Sequence, residues 1–121
     1  MKTVLVVDDS SFMRTLIKKN INDLDVEVIG EAEDGKDALD KYIELKPDIV
    51  TLDLAMQEHG GLEALEKIMQ HDPDAKVIIV CSTAGQGSVI EQATELGARA
   101  IVKKPLMNND LAEAFKPLLL D

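Results

Sequence analysis

Apolar residues fall in two rhythms along the chain. Short β-branched runs, "TVLVV" (Thr3 to Val7), "EVIGEA" (Glu27 to Ala32), "DIVTL" (Asp48 to Leu52), "KVIIV" (Lys76 to Val80) and "RAIV" (Arg99 to Val102), read as strands. Between them, apolar residues recur at three- and four-residue spacings, the period of a helix with one buried face. Met13, Leu16, Ile17, Ile21 and Leu24 predict a first helix from about Ser11 to Leu24, capped by Ser10 or Ser11. A second is expected from about Lys36 to Leu45, stopping where Pro47 disfavours helical geometry at Lys46. A third is expected from about Leu62 to His71, and a fourth roughly from Ser88 to Leu96, ending at Gly97, where a helix terminus favours a residue tolerant of positive φ. The last begins near Asn109 or Asp110 and should bend or end near Pro117.

Strand and helix alternate five times, and strands as continuously apolar as "VLVV" and "VIIV" belong to a parallel sheet covered on both faces. The expected fold is a doubly wound α/β domain, (βα)5, occupying residues 1–121 as a single unit. No apolar run approaches the ~20 residues that span a bilayer, and the apolar block before Asp8 is too short for a signal peptide, so a cytoplasmic protein is expected. The formal net charge of −10 argues against a nucleic-acid partner, which needs a basic footprint. The single cysteine, Cys81, lies in an apolar run and reads as a small core residue.

In doubly wound sheets, function collects at the carboxyl ends of the strands. Here those ends read "DDSS", "EDG", Asp53, "CSTAG" and "KKP". If the first strand neighbours the third, Asp8, Asp9 and Asp53 converge, and three carboxylates in one small volume call for a cation or a raised pKa. Taken singly, each has a plainer use: Asp8 and Asp9 suit a helix start, and Asp53 could open a loop. An all-oxygen site suits Mg²⁺ or Mn²⁺ rather than Zn²⁺, for which His59, His71 and Cys81 offer no ligand spacing. A hydroxyl from Ser82 or Thr83 and an ammonium from Lys103 or Lys104 stand on the same rim, a combination that suits a phosphoryl group. "GQGSVI" (Gly85 to Ile90) lacks the third glycine of a dinucleotide fingerprint and reads as a loop.

Together "VLVVDDSSFMR", "DIVTLDLAM", the serine after "VIIVC", "ELGARA" and "IVKKP" resemble the receiver domain of two-component response regulators, in its stand-alone chemotaxis form, over essentially the whole chain. The resemblance implies a flavodoxin-like fold with strand order 2-1-3-4-5. It implies that Asp53 is the phosphoacceptor, supplied by a sensor histidine kinase or a small phosphodonor. Asp9 and Asp53 would hold Mg²⁺ directly, Asp8 through water, and the Ala55 carbonyl would complete the protein ligands. Ser82 would reach a phosphoryl oxygen, Lys104 would pair with carboxylate or phosphate, and the Lys104-Pro105 bond would be cis. Output would pass to a target protein through the fourth helix, fifth strand and fifth helix, with a phosphorelay or phosphate-sink role, or a receiver cut from a larger regulator, as alternatives. The domain would be a signalling protein rather than a conventional enzyme, catalysing only its own phosphorylation and slow dephosphorylation.

Some positions depart from the family pattern. Gln57 stands where proline is usual, "HGG" (His59 to Gly61) frees the following loop, and Ile101 replaces the common aromatic, which excludes an aromatic rotamer switch. Ala55 and Ala84 stand where the resemblance places residues that influence dephosphorylation, and neither can orient a water, so a long-lived phosphoryl group is expected. An aspartate-based phosphatase of the haloacid-dehalogenase type would want Asp-x-Asp, and position 10 is Ser. Flavin phosphate would be repelled by Asp8 and Asp9.

Overall fold

β1 (Lys2–Val7), α1 (Ser11–Ile21), β2 (Val26–Ala32), α2 (Gly35–Leu45), β3 (Ile49–Asp53), α3 (Gly61–His71), β4 (Val77–Ser82), α4 (Gly87–Leu96), β5 (Ala100–Lys104) and α5 (Asp110–Leu119) follow one another in the computed structural model. It describes residues 1–54, 60–82, 87–104, 106 and 109–120, with the backbone alone at Ser82 and Gly87. Every strand pairing is parallel, in the order β2-β1-β3-β4-β5. The doubly wound flavodoxin-like arrangement is therefore as expected.

Alternation along each strand divides the core into two layers. Val4, Val6, Ile49, Ile78, Val80 and Val102 face Ile17 and Ile21 of α1 and Leu111, Phe115 and Leu118 of α5. Leu5, Val7, Val50, Leu52, Val77, Ile79 and Cys81 face Ala38 and Tyr42 of α2, Ala64, Leu65 and Ile68 of α3, and Ala93 of α4. Both faces are thus dry, which is why the strands read as unbroken apolar runs. Phe115 is fully buried, and truncating it to Ala would cost about 3–5 kcal/mol.

The element ends are informative. Ser10 caps α1, its Oγ accepting from the Met13 N–H. That helix stops at Ile21 rather than Leu24, yet Leu24 still packs on the α1/α5 layer, because the turn that places its N–H on the Ile21 carbonyl keeps it on the core side. Lys46, before Pro47, takes φ 50° and ends α2 by donating its N–H to the Tyr42 carbonyl. Gly97 has φ +113°, a backbone conformation that favours glycine, and a Cβ there would meet only the movable end of the Met69 side chain. The expectation that the last helix bends or ends near Pro117 is met by its end at Leu119, two residues beyond the proline. The proline removes one N–H from the helix ladder, and burial of Leu118, the residue before the last, holds the final turn in place. No helix among the described residues is long and apolar enough to cross a membrane.

β4 and β5 each run two residues beyond the apolar stretch seen in the sequence, and β3 includes Asp53 as its last residue. Ladder pairing reaches further than hydrophobicity, so the polar residues at the strand ends are held in register. That extension positions the site.

Candidate functional site

Register brings the chemistry together. Val7 pairs with Leu52, Asp53 with Val80, and Ser82 with Lys104. Counting by twos from Val4 and Val6, from Ile49 and Thr51, and from Ala100 and Val102 places Asp8, Asp53 and Lys104 on one face, just beyond the α1/α5 layer. Asp53 and Asp8 are buried at 2% and 0% exposure, whereas Asp9 is exposed.

One carboxylate oxygen from each of Asp8, Asp9 and Asp53 lies within 4.8 Å of the other two. At such a separation each pair of charges repels by roughly 3 kcal/mol at an effective dielectric of ~20. Lys104 offsets part of this: its Nζ is 3.5 Å from Asp8 Oδ2 and 3.4 Å from Asp53 Oδ1. Burial nonetheless pushes the Asp8 carboxyl above its ordinary range, with the neighbouring Asp53 and Asp9 charges adding to the rise. The Ser10 N–H, donated to Asp8 Oδ1 at 2.9 Å, and the Lys104 ammonium oppose it. The donor set is all carboxylate oxygen, with two of the three groups buried, which fits a small hard divalent cation. Beneath the carboxylates on the same face, the buried Thr51 Oγ1 has no hydrogen-bond partner among the described residues.

Of the expected site residues, the structure brings Asp8, Asp9, Asp53 and Lys104 together. The choice between the two lysines falls on Lys104, since Lys103 is exposed and on the opposite parity. Ser82 lies at the last position of β4, its backbone in register with Lys104. Ala55, Gln57, His59, Thr83, Ala84, Gly85, Pro105 with the bond preceding it, and Met107 lie outside the described residues. Cys81 is a buried core residue as expected, its thiol pushed up by burial. Ile101 sits within β5 opposite Ile79.

Sequence reasoning missed Arg14 and Glu31. Arg14 donates from one terminal guanidinium nitrogen to the Asp8 carbonyl at 2.6 Å and from Nε to Glu31 Oε1 at 2.9 Å. The available signal was Gly30 inside a strand, a common mark of a bulge.

With this geometry in view, comparison with known proteins is direct. Residues 4–116 match the response regulator receiver domain. The chemotaxis protein CheY of Listeria monocytogenes is 49% identical over 116 residues, covering 96% of this chain and 97% of that protein. The CheY of Thermotoga maritima is 47% identical over 114 residues, covering 94% of each chain. In a crystal structure of the CheX-CheY-BeF3-Mg²⁺ complex from Borrelia burgdorferi, the matched chain superposes with a TM-score of 0.91 at 29% identity, covering 99% of this chain and 90% of that one. The chain belongs to the response regulator receiver domain family. It is a homologue of CheY.

Proposed function

We propose that this chain is a phosphoryl-accepting signalling protein of a two-component system, a single receiver domain spanning residues 1–121, with Asp53 as the acceptor. The observation that carries the reading is the buried Asp53 carboxylate at the end of β3, grouped with Asp8 and Asp9 and held 3.4 Å from the Lys104 ammonium. A sensor histidine kinase, or a small phosphodonor, supplies the group. An Asp53 carboxylate oxygen attacks phosphorus, the new O–P bond forms as the donor's N–P or O–P bond breaks, and the bonding pair leaves with the donor.

Asp8, Asp9, Asp53 and the Ala55 carbonyl are the residues to hold Mg²⁺ or Mn²⁺. The ion supplies charge neutralisation on the phosphoryl oxygens. Lys104, already beside Asp8 and Asp53, would give a second positive charge, and the Ser82 hydroxyl a hydrogen bond to a phosphoryl oxygen. The α1/α5 layer beneath the site and the buried strand ends exclude water from Asp8 and Asp53, while Asp9 stays open to solvent.

Signalling is then a population shift: the added charge at Asp53 is better satisfied in one of two arrangements of the surface formed by α4, β5 and α5, and that surface binds a target protein. Likeness to chemotaxis CheY proteins, one of them crystallised with CheX, BeF3 and Mg²⁺, supports both the cation and a protein target.

Incubation with acetyl phosphate and Mg²⁺, read by intact-protein mass, tests the assignment. The native chain gains one phosphoryl group that hydroxylamine removes, and Asp53→Asn gains none. Stoichiometric labelling of Asp53→Asn overturns it.

A further inference from the structure

β2 does not pair evenly with β1. Val4 stands opposite Val28, but Leu5 stands opposite Gly30, so Ile29 is an extra residue. The bulge reverses the side-chain parity of the rest of the strand. Val26 and Val28 pack on the α1/α5 layer, and without the bulge Gly30 would follow them there. Instead Gly30 turns to the other face, where a Cβ would lie 2.7 Å from a Leu45 methyl, and Glu31 comes opposite Val6 on the side of α1. A carboxylate that an even ladder would aim at α2 therefore meets α1.

There it joins two cations. Glu31 Oε1 accepts from Arg14 Nε and Glu31 Oε2 from Lys18 Nζ, each at 2.9 Å. Lys18 and Arg14 hold the Glu31 carboxyl below its ordinary range, so it stays ionised. Lys41 reaches across from α2 to donate to the Glu31 carbonyl and also pairs with Asp37. With Nε fixed on Glu31, the planar guanidinium points its outer nitrogen at the Asp8 carbonyl.

That carbonyl belongs to the peptide joining Asp8 to Asp9. Because the peptide is planar, holding its oxygen sets the direction in which the chain leaves Asp8 and thus where Asp9 begins. The other atoms of Asp8 are held too: its N–H donates to the Ala32 carbonyl at 3.0 Å, Oδ1 accepts from Ser10, and Oδ2 faces Lys104. We infer that Arg14, aimed by Glu31 through the β2 bulge, is a positioning residue for the divalent-cation site, orienting the Asp8-Asp9 peptide so that both carboxylates converge with Asp53. The inference rests on the cation reading given above.

Positioning and simple electrostatics predict opposite signs. Removing a positive charge beside an acidic cluster should tighten cation binding if charge alone matters. Loss of an outer hydrogen-bond partner that orients ligands weakens it, typically by 10-fold or more. Isothermal titration of the full chain with MgCl2 decides between them. The expected results are a Kd raised roughly tenfold in Arg14→Ala, raised less in Arg14→Lys and Glu31→Ala, and no higher in the Arg14→Ala/Glu31→Ala double variant than in Arg14→Ala, because both residues act on one peptide. Lys18→Ala, which loses a cation on Glu31 but none on Asp8, should bind Mg²⁺ as well as or better than the native chain. A native-like or lowered Kd in folded Arg14→Ala overturns the inference. Should that variant not fold, a native-like Kd in both Arg14→Lys and Glu31→Ala overturns it equally. Absence of Mg²⁺ binding by the native chain overturns the cation reading itself, a separate and distinguishable result.

Discussion

Gly61 stands so close to Asp53 that a Cβ built on it would lie 2.4 Å from the Asp53 carbonyl oxygen, and equally near the Leu54 Cα. Both obstacles are backbone at the end of a fully paired strand, so neither can swing aside. The first turn of α3 therefore packs against β3 only because residue 61 has no side chain. Gly61→Ala should lower unfolding free energy by about 1–3 kcal/mol in urea titration, and should weaken Mg²⁺ binding as Asp53 is displaced. An alanine variant of native stability would mean that α3 can lift away freely.

Asp8 makes metal-free stability depend on pH in an unusual direction. The folded chain holds the Asp8 proton to a higher pH than the unfolded chain does, so folding takes up a proton in the interval between the two values. This contribution is fully present below the ordinary carboxylate range, falls as pH rises through that interval, and is lost above the folded value. Asp8→Asn removes the dependence. Without metal at pH 7 it should melt several degrees above the native chain, with the gap closing towards acid pH. Saturating Mg²⁺ should narrow the gap by stabilising only the native site, which thermal melts in chelator and in MgCl2 will show.

Lys104→Met leaves Asp8 and Asp53 without their shared ammonium. Its side chain is partly exposed and its contacts are long, so the metal-free cost should be about 1–3 kcal/mol, below that of a fully buried pair. The Mg²⁺ Kd should fall, because a competing cation has gone, while labelling by acetyl phosphate slows. Calorimetry thus contrasts Lys104, which neutralises the carboxylates, with Arg14, which aims them.

Thr51 carries a buried hydroxyl without a partner among the described residues, directly below Asp53 on the same face of β3. Thr51→Val keeps the shape and removes the unmet hydrogen bond, and should raise stability by about 1 kcal/mol in urea titration. Unchanged Mg²⁺ affinity is expected, since its hydroxyl hydrogen-bonds none of the described carboxylates.

The strands and helices were legible because each advertises itself locally. Short unbroken β-branched runs mark the strands and a three-to-four-residue rhythm the helices, and Pro47, Gly97 and the serine before α1 punctuate them. Pro117 marked the end of α5 to within two residues, and Leu118, packed against the α1 layer of the core, carries the helix just past it. Asp53 was placed just after its strand rather than in it, since hydrophobicity ends at Leu52 while backbone pairing continues to Val80 on β4.

By itself, then, the sequence determined the doubly wound class and set acidic, hydroxyl and basic residues at successive strand ends, since both are written in periodicity and order. Its likeness to a known family supplied the strand order and the roles. Only the tertiary structure decided which carboxylates lose water, that one ammonium is shared by Asp8 and Asp53, and that a single extra residue in β2 turns Glu31 toward Arg14 and so fixes the Asp8 peptide. These depend on register between segments distant in the chain, and register is settled by the packing of the whole sheet rather than by any local run of residues.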